Sequence, residues 1–278
     1  MSLIKNIPVY PLNTDKFSFS IEDLTYDNTY DFNEAHRHNY FEIILTEKGG
    51  GSQWIDFKEF NLKDNSCYII SPNQVHLLKR DKEARGIIIQ FTEDMINDKN
   101  LFGVLQVFDS CVFFEENSSW YQEIRKYINL FLTIKKSNKL FLKPSLEGVL
   151  HSFLYHLLGC ASTEISLSND ELHNKFLNLV ESHFTEWHTI SPYLESLGIS
   201  ESKLGIATKK HMGSSPLQVI HNRLLLEAKR LIFFQQDSIK EISYSLGFKY
   251  PSNFSHFIKN KTGFTASQLQ KQIKNVNS

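Results

Sequence analysis

The sequence predicts a two-domain α+β chain. A barrel or sandwich of short strands with flanking helices comes first, and an all-α half follows, in which two helix-turn-helix units are joined by one long helix. Three observations predict it. Short β-prone runs separated by turn residues fill the stretch from 17 to about 92. Beyond it, apolar residues switch to three- and four-residue spacing. A string near residue 190 then recurs 49 to 50 residues later. A length of 278 residues suits two domains, and 41% hydrophobic with 22% charged residues is ordinary for a chain that buries a core.

The strand candidates are residues 41–45, 67–70 and 86–91. Turn residues at 49–51, 63–65, 71–73 and 81–82 separate them. The triplet Gly49-Gly-Gly51 lacks the lysine spacing of a phosphate-binding loop and reads as a hairpin tip. From about 93 the pattern is helical. Trp120, Ile124, Tyr127, Ile128, Phe131 and Leu132 share one face, which suits either a dimer seam or a cover for the barrel. Pro144 marks the start of a further helix, continued by Leu146, Leu150, Phe153, Leu154, Leu157 and Leu158.

The expected boundaries are therefore a domain over 1–161 (barrel about 17–92, helices about 93–160), a polar linker over 162–170, and a helical domain over 171–278. The longest uncharged stretch, 148–163, is too short to span a bilayer and holds His151 and His156. Residues 1–15 carry no apolar signal core. Three cysteines without a CxxC pair argue against a disulfide framework. The expectation is a cytoplasmic protein with no membrane partner.

The net charge of −1 conceals an asymmetry. Residues 198–278 hold 12 basic against 4 acidic side chains, a net of +8, so the C-terminal end suits a polyanion. The internal repeat lies in this region. Ile190, Leu197 and Gly198 match Ile239, Leu246 and Gly247 at an offset of 49. Leu204, Lys209, Gly213 and Gln218 match Phe254, Lys259, Gly263 and Gln268 at an offset of 50. Each copy reads as helix, glycine turn, second helix, closing glycine. Glycine tolerates the left-handed backbone of a helix C-cap, and Ser200 and Ser252 are the expected N-caps of second helices over about 201–211 and 252–261. In such a unit the second helix enters the DNA major groove. The expected DNA-binding residues are Ser202, Lys203, Gly205, Ile206, Lys209 and Lys210 in the first copy. In the second they are Ser252, Asn253, Ser255, His256 and Lys259. Histidines 211, 221 and 256 are expected at the surface or on phosphates. A helix from Pro216 to Phe234 with the stripe Leu217, Ile220, Leu224, Ala228, Leu231 and Ile232 would hold the two units apart, about 34 Å if both face one side of a duplex.

Residues 176–272 resemble the DNA-binding domain of the AraC/XylS transcription regulators. The resemblance is carried by Leu197-Gly-Ile-Ser200, Lys209-Lys-His-Met-Gly-Ser-Ser-Pro216, Ala228-Lys-Arg-Leu231, Ser238-Ile-Lys-Glu-Ile242, Leu246-Gly-Phe248, Phe254-Ser255 and Thr262-Gly-Phe-Thr265. It implies a regulator, an activator more than a repressor, that binds double-stranded DNA, responds to a small-molecule effector, contacts RNA polymerase and forms a homodimer. This chain departs from the family at Gly205, at Ile206 where an arginine is usual, and at Tyr250, Asn253, His256, Ile258 and Ala266. Losing the arginine removes a bidentate guanine reader, so base preference does not carry over.

The string His36-Arg-His-Asn-Tyr-Phe-Glu42 with Pro72-Asn-Gln-Val-His76 resembles the cupin-type sensor that precedes many such DNA-binding domains, which implies a cupin-like barrel. It is also similar to the metal site of cupin enzymes. His36 and His38 have equal strand parity, about 6–7 Å apart, but Glu42 lies about 13 Å further on a flat strand and joins them only if the chain turns. Three readings stay open: the candidate metal ligands His36, His38, Glu42 and His76; histidines bonded within a loop; and an effector pocket of His38, Tyr40, Glu42, Trp54, Tyr68 and His76. No asparagine or glutamine follows His76 to support a metal. No resident metal or cofactor is assigned, no catalytic constellation such as GxSxG appears, and the chain is read as a non-enzyme. The alternatives are a metal-dependent cupin enzyme with an accessory helical domain, and an adaptor whose repeat is only structural.

Overall fold

The computed structural model describes residues 9–10, 12, 18–24, 35–98, 101, 105, 111–113, 119–136, 140–161, 171–234 and 237–270. The expected linker, 162–170, and the Trp120 side chain lie outside the described residues. The chain divides into two compact units, 8–167 and 168–278.

The strands of the first unit are β1 (Val9–Tyr10), β2 (Phe19–Leu24), β3 (Arg37–His38), β4 (Phe41–Lys48), β5 (Gly51–Ile55), β6 (Lys58–Asn61), β7 (Ser66–Ile70), β8 (His76–Arg80), β9 (Arg85–Phe91) and β10 (Cys111–Phe113). They form an antiparallel five-stranded sheet, β10-β7-β4-β9-β2, an antiparallel three-stranded sheet, β6-β5-β8, and a small parallel pair, β1-β3. This is the expected cupin-like, sheet-rich architecture.

Strand β4 runs through the middle of the larger sheet and is buried on both faces, which is why residues 41–45 lack a polar alternation. Phe41, Ile43 and Leu45 pack in a core shared with the helices. Ile44 instead joins Leu24, Tyr68, Ile70 and Ile88 in a second core that includes Ile55 and Leu62.

Two expectations are corrected here. Gly49-Gly-Gly51 is not a hairpin tip, because β4 and β5 belong to different sheets; the triplet turns the chain from one to the other. Gly51 takes φ +98° with its missing Cβ directed at the Lys79 carbonyl, 2.1 Å away, so no other residue fits. The region after 93 is not uniformly helical either. It holds a 3-10 turn, Glu93–Met95, and β10, which pairs with β7. A three-residue strand leaves too short a period-2 signal to read.

Helices α1 (Ser119–Lys136) and α2 (Leu142–Ala161) follow. Pro144 sits in the first turn of α2, where its missing N–H has no helical partner to lose. Ile124 and Phe131 of α1 are buried with Leu150 and Phe153 of α2 and with the sheet residues Phe19 and Ile43. The apolar face of α1 therefore covers the barrel and is not a dimer seam. None of the described helices is long and apolar enough to cross a membrane.

The second unit comprises α3 (Glu171–His183), α4 (Ser191–Leu197), α5 (Glu201–Met212), α6 (Pro216–Phe234), α7 (Ile239–Ser245) and α8 (Pro251–Thr262), and residues 266–270 are also helical. The repeat is visible in the packing. Tyr193, Leu204, Val219 and Ile220 build one core with α3, while Ile242, Phe254, Leu224, Ala228 and Ile232 build the other. Leu204 and Phe254, fifty positions apart, are both fully buried. The long helix α6 thus gives its first half to one core and its second half to the other, so the two units share a continuous rod.

Candidate nucleic-acid interface and sensor cluster

Helix α4 ends at Gly198 in the left-handed conformation, φ 64°, and Ser200 then caps α5 by accepting from the Lys203 amide at 3.4 Å. The second unit differs in detail. A capping box between Ser238 and Glu241 starts α7, and the N-cap of α8 is Tyr250, not the expected Ser252. Pro251 takes the first helical position, where its fixed φ is already helical, so the helix starts one residue early.

Leu204, Ala207 and Thr208 bury one side of α5. Opposite lies Ile206, 69% exposed, at the centre of a face made by Ser202, Lys203, Lys209 and Lys210, all exposed. Gly205 is half-buried on the flank. In α8 the buried pair is Phe254 and Ile258. His256 occupies the place equivalent to Ile206, and Ser252, Asn253, Ser255 and Lys259 are exposed around it. The two outer faces carry five lysines, Lys203, Lys209, Lys210, Lys259 and Lys261, against one acid, Glu201, which sits at the favourable N-terminal end of its helix.

Other basic groups turn inward. Arg223 holds Glu181 through two bonds, Nε to Oε2 at 2.5 Å and Nη2 to Oε1 at 2.7 Å, and Arg230 donates to Glu227 at 3.0 Å while 3% exposed. These charges tie α6 to α3 and to itself. The expectation that His211, His221 and His256 all face outward is corrected as well. His221 lies 3.3 Å from the His188 carbonyl and against Phe257, its basicity lowered by burial, and half-buried His211 stacks near His173. Of the three, His256 alone is fully on the surface.

In the first unit, a bend at Asn39 and Tyr40 separates β3 from β4. It supplies the turn that a flat strand lacks. His38, Glu42 and His76 are all buried, and one ligand atom from each lies within 4.8 Å of the others. A two-way backbone bridge between His36 and His76, at 3.0 and 2.8 Å, brings β8 alongside. His36 touches the group by its ring, 4.2 Å from that of His76, but is not among the three converging ligands. Tyr40 stacks on His38 at 4.0 Å.

Two neighbours were not legible from the string itself. Gln90 donates to Glu42 Oε2 at 2.8 Å, and the Gln53 amide lies 3.3 Å from His76 Nδ1. The expectation that no asparagine or glutamine follows His76 to support a metal is corrected: Gln90 of β9 follows it, and Gln53 of β5 adds a second amide. The available signal was Gln90, a polar residue that interrupts the apolar run of residues 87–91 in β9. Trp54 and Tyr68 do not join. Trp54 alternates away from inward-facing Gln53 and Ile55, and Tyr68 is locked in the apolar core, its hydroxyl donating to the Asn61 carbonyl at 2.7 Å.

Burial sets the protonation of the cluster. It pushes Glu42 up to about 7, against the Gln90 bond that favours the anion, and holds His38 down at about 3 and His76 well below the usual range. Neutral imidazoles and a carboxyl beside them fit a borderline transition-metal ion by donor type.

Comparison with known proteins agrees with both halves. Residues 193–272 match the family described as a helix-turn-helix domain, and residues 24–98 match the AraC-like ligand binding domain. The chain is 21% identical over 235 residues to the HTH-type transcriptional activator RhaS of Pectobacterium carotovorum, covering 79% of this chain and 81% of that one. To RhaS of Salmonella schwarzengrund it is 20% identical over 248 residues, covering 84% and 86%. Among solved structures it is similar to ToxT of Vibrio cholerae, with 16% identity, coverage of 91% and 98%, and a TM-score of 0.43. The matched families and curated relatives describe regulators, which leaves the enzyme alternative unsupported. With an AraC-like ligand-binding domain ahead of two helix-turn-helix units, this chain belongs to the AraC/XylS family of DNA-binding transcription regulators.

Proposed function

We propose that the protein is a sequence-specific activator whose α5 and α8 enter neighbouring major grooves of double-stranded DNA, under control of an effector bound in the first unit. The observation that carries this reading is the pair of repeat-related outer faces. Each is centred on an exposed side chain, Ile206 or His256, and ringed by lysines and small polar groups. The DNA contacts are Ser202, Lys203, Gly205, Ile206, Lys209, Lys210, Ser252, Asn253, Ser255, His256 and Lys259. Lysines on phosphates position the helices and the central side chains read bases.

Activation is favoured by the named function of the RhaS relatives, and activation through RNA polymerase follows from the family. A homodimer is favoured by exposed apolar side chains at Leu130, Leu140, Phe141 and Tyr155 of the first unit. A cytoplasmic location is part of the same reading and follows from the proposed DNA binding. The effector works by favouring one arrangement of the protein over another, and so changes DNA affinity. Selection from a random DNA pool with the full-length protein is the test. One enriched motif spanning two adjacent major grooves is expected; a pool that stays random after repeated rounds refutes the reading.

A further inference from the structure

We propose that the buried His38, Glu42 and His76 cluster binds one divalent transition-metal ion, and that this ion is the regulator's effector. The second half rests on the proposed function; the first does not.

The geometry is close to that of a metal site. The three ligand atoms lie within 4.8 Å of one another. Metal bonds of about 2.0–2.2 Å place neighbouring ligand atoms about 3–3.5 Å apart, so small side-chain rotations close the set.

The cluster is also incomplete as a hydrogen-bond network. His38 Nδ1 lies 2.7 Å from the Tyr40 carbonyl, to which it donates. This fixes the tautomer and leaves Nε2 with a lone pair, the arrangement common to metal-bound histidines. That Nε2 is buried with no protein partner, and so are His76 Nε2, Gln53 Oε1 and Gln90 Oε1. Buried polar atoms are ordinarily paired, and several orphans around one point call for an occupant. The Gln53 amide has either orientation open to it: with its oxygen toward His76 Nδ1–H, the His76 Nε2 lone pair is released. Gln90 already holds the outer oxygen of Glu42.

The rings are closely packed, with centroids 4.0 Å apart for His38 and Tyr40, 4.2 Å for His36 and His76 and 4.8 Å for His38 and His76. Chemistry selects the occupant. Two imidazoles and one carboxylate suit zinc, iron(II), cobalt(II) or nickel. Calcium and magnesium call for all-oxygen sites, and copper(I) for soft sulfur ligands. Because Glu42 lies on a strand of the larger sheet and His76 on one of the smaller, the ion would clamp the two sheets together.

The test uses full-length protein stripped by chelator and titrated with cobalt(II), then zinc. The expected result is one ion per chain, a visible ligand-field absorption of nitrogen and oxygen donors, and a raised thermal midpoint. Glu42→Gln keeps the shape and the Gln90 contact, and should weaken binding at least about 100-fold, as should His38→Gln; His36→Gln should bind as the parent does. Variant folding is checked by circular dichroism and by metal-free binding to the selected DNA. No stoichiometric ion in the parent protein, or equal binding by Glu42→Gln and His38→Gln, overturns the site. DNA affinity is then compared with cobalt and with chelator. A change of about 5-fold or more is expected. Equal affinity overturns the effector assignment, whereas failure to select any DNA motif sinks the regulator reading and leaves the metal site standing.

Discussion

Replacing Lys209 and Lys259 by alanine tests the DNA interface through its salt dependence. These lysines occupy equivalent places in the two copies, and both are exposed. With Lys203, Lys210, Lys249 and Lys261, also exposed, they make six cations on or beside the two outer helices. Each cation that neutralises a phosphate adds about −0.9 to the slope of log K against log salt. Six contacts give a slope of about −5.4, a loss of about 2,000-fold in affinity between 50 and 200 mM salt. Without the two lysines the slope falls to about −3.6. The gap between parent and double variant should then shrink from about 200-fold at 50 mM to about 20-fold at 200 mM. Fluorescence anisotropy of a labelled selected site, read at four or five salt concentrations, measures both lines. Parallel lines refute the reasoning, since a salt-independent loss means that the lysines act on folding or on neutral contacts. Coincident lines refute it outright.

Other consequences are as specific. Ile206→Arg should move the first unit's preference toward guanine at one position, by about 1–3 kcal/mol, seen as a changed motif in repeat selection; an unaltered motif excludes Ile206 from base contact. Gly247 has φ +77° and a Cβ there would meet the Thr185 carbonyl at 1.7 Å, whereas Gly198, φ +64°, faces open space. Gly247→Ala should therefore cost at least about 2 kcal/mol more than Gly198→Ala in urea unfolding of the helical unit, and equal costs would contradict the close approach. Phe254→Ala should destabilise by about 3–5 kcal/mol, with chemical denaturation as the measure and a cost under 1 as the contrary result.

The buried cluster predicts a pH dependence in chelator. Between pH 6.5 and 4.5 the unfolded chain protonates His38 and His76, which the fold keeps neutral, while the fold alone holds a proton on Glu42. The unfolded state thus binds one proton more, and stability drops by about 1.4 kcal/mol per pH unit as pH falls. His38→Gln balances the count and should flatten the slope; an unchanged slope would mean that His38 is not held neutral.

The helical half was readable because its signals are local. Glycine caps, a helical apolar period and a recurring spacing act within a few residues of each other, so Leu204 could be matched to Phe254 and Lys209 to Lys259 before any contact was known. Amphipathicity says that a helix buries a face, not what covers it. For that reason α1 read equally as dimer seam or barrel cover until Ile124 and Phe131 were found against Phe153 and the sheet. The same limit applied to Arg223, whose partner Glu181 comes from α3.

By itself, the sequence determined that two similar helical grips exist, which faces of them are wet, and that His36, His38 and Glu42 share a parity. Only the tertiary structure decided that Glu42 folds back to His38 through the bend at Asn39 and Tyr40, that Gln53 and Gln90 stand beside them, and that Trp54 and Tyr68 do not. Those groups come from strands of two sheets joined by long-range pairing, and strand pairing is set by register and chain closure across the whole barrel. No local period encodes it.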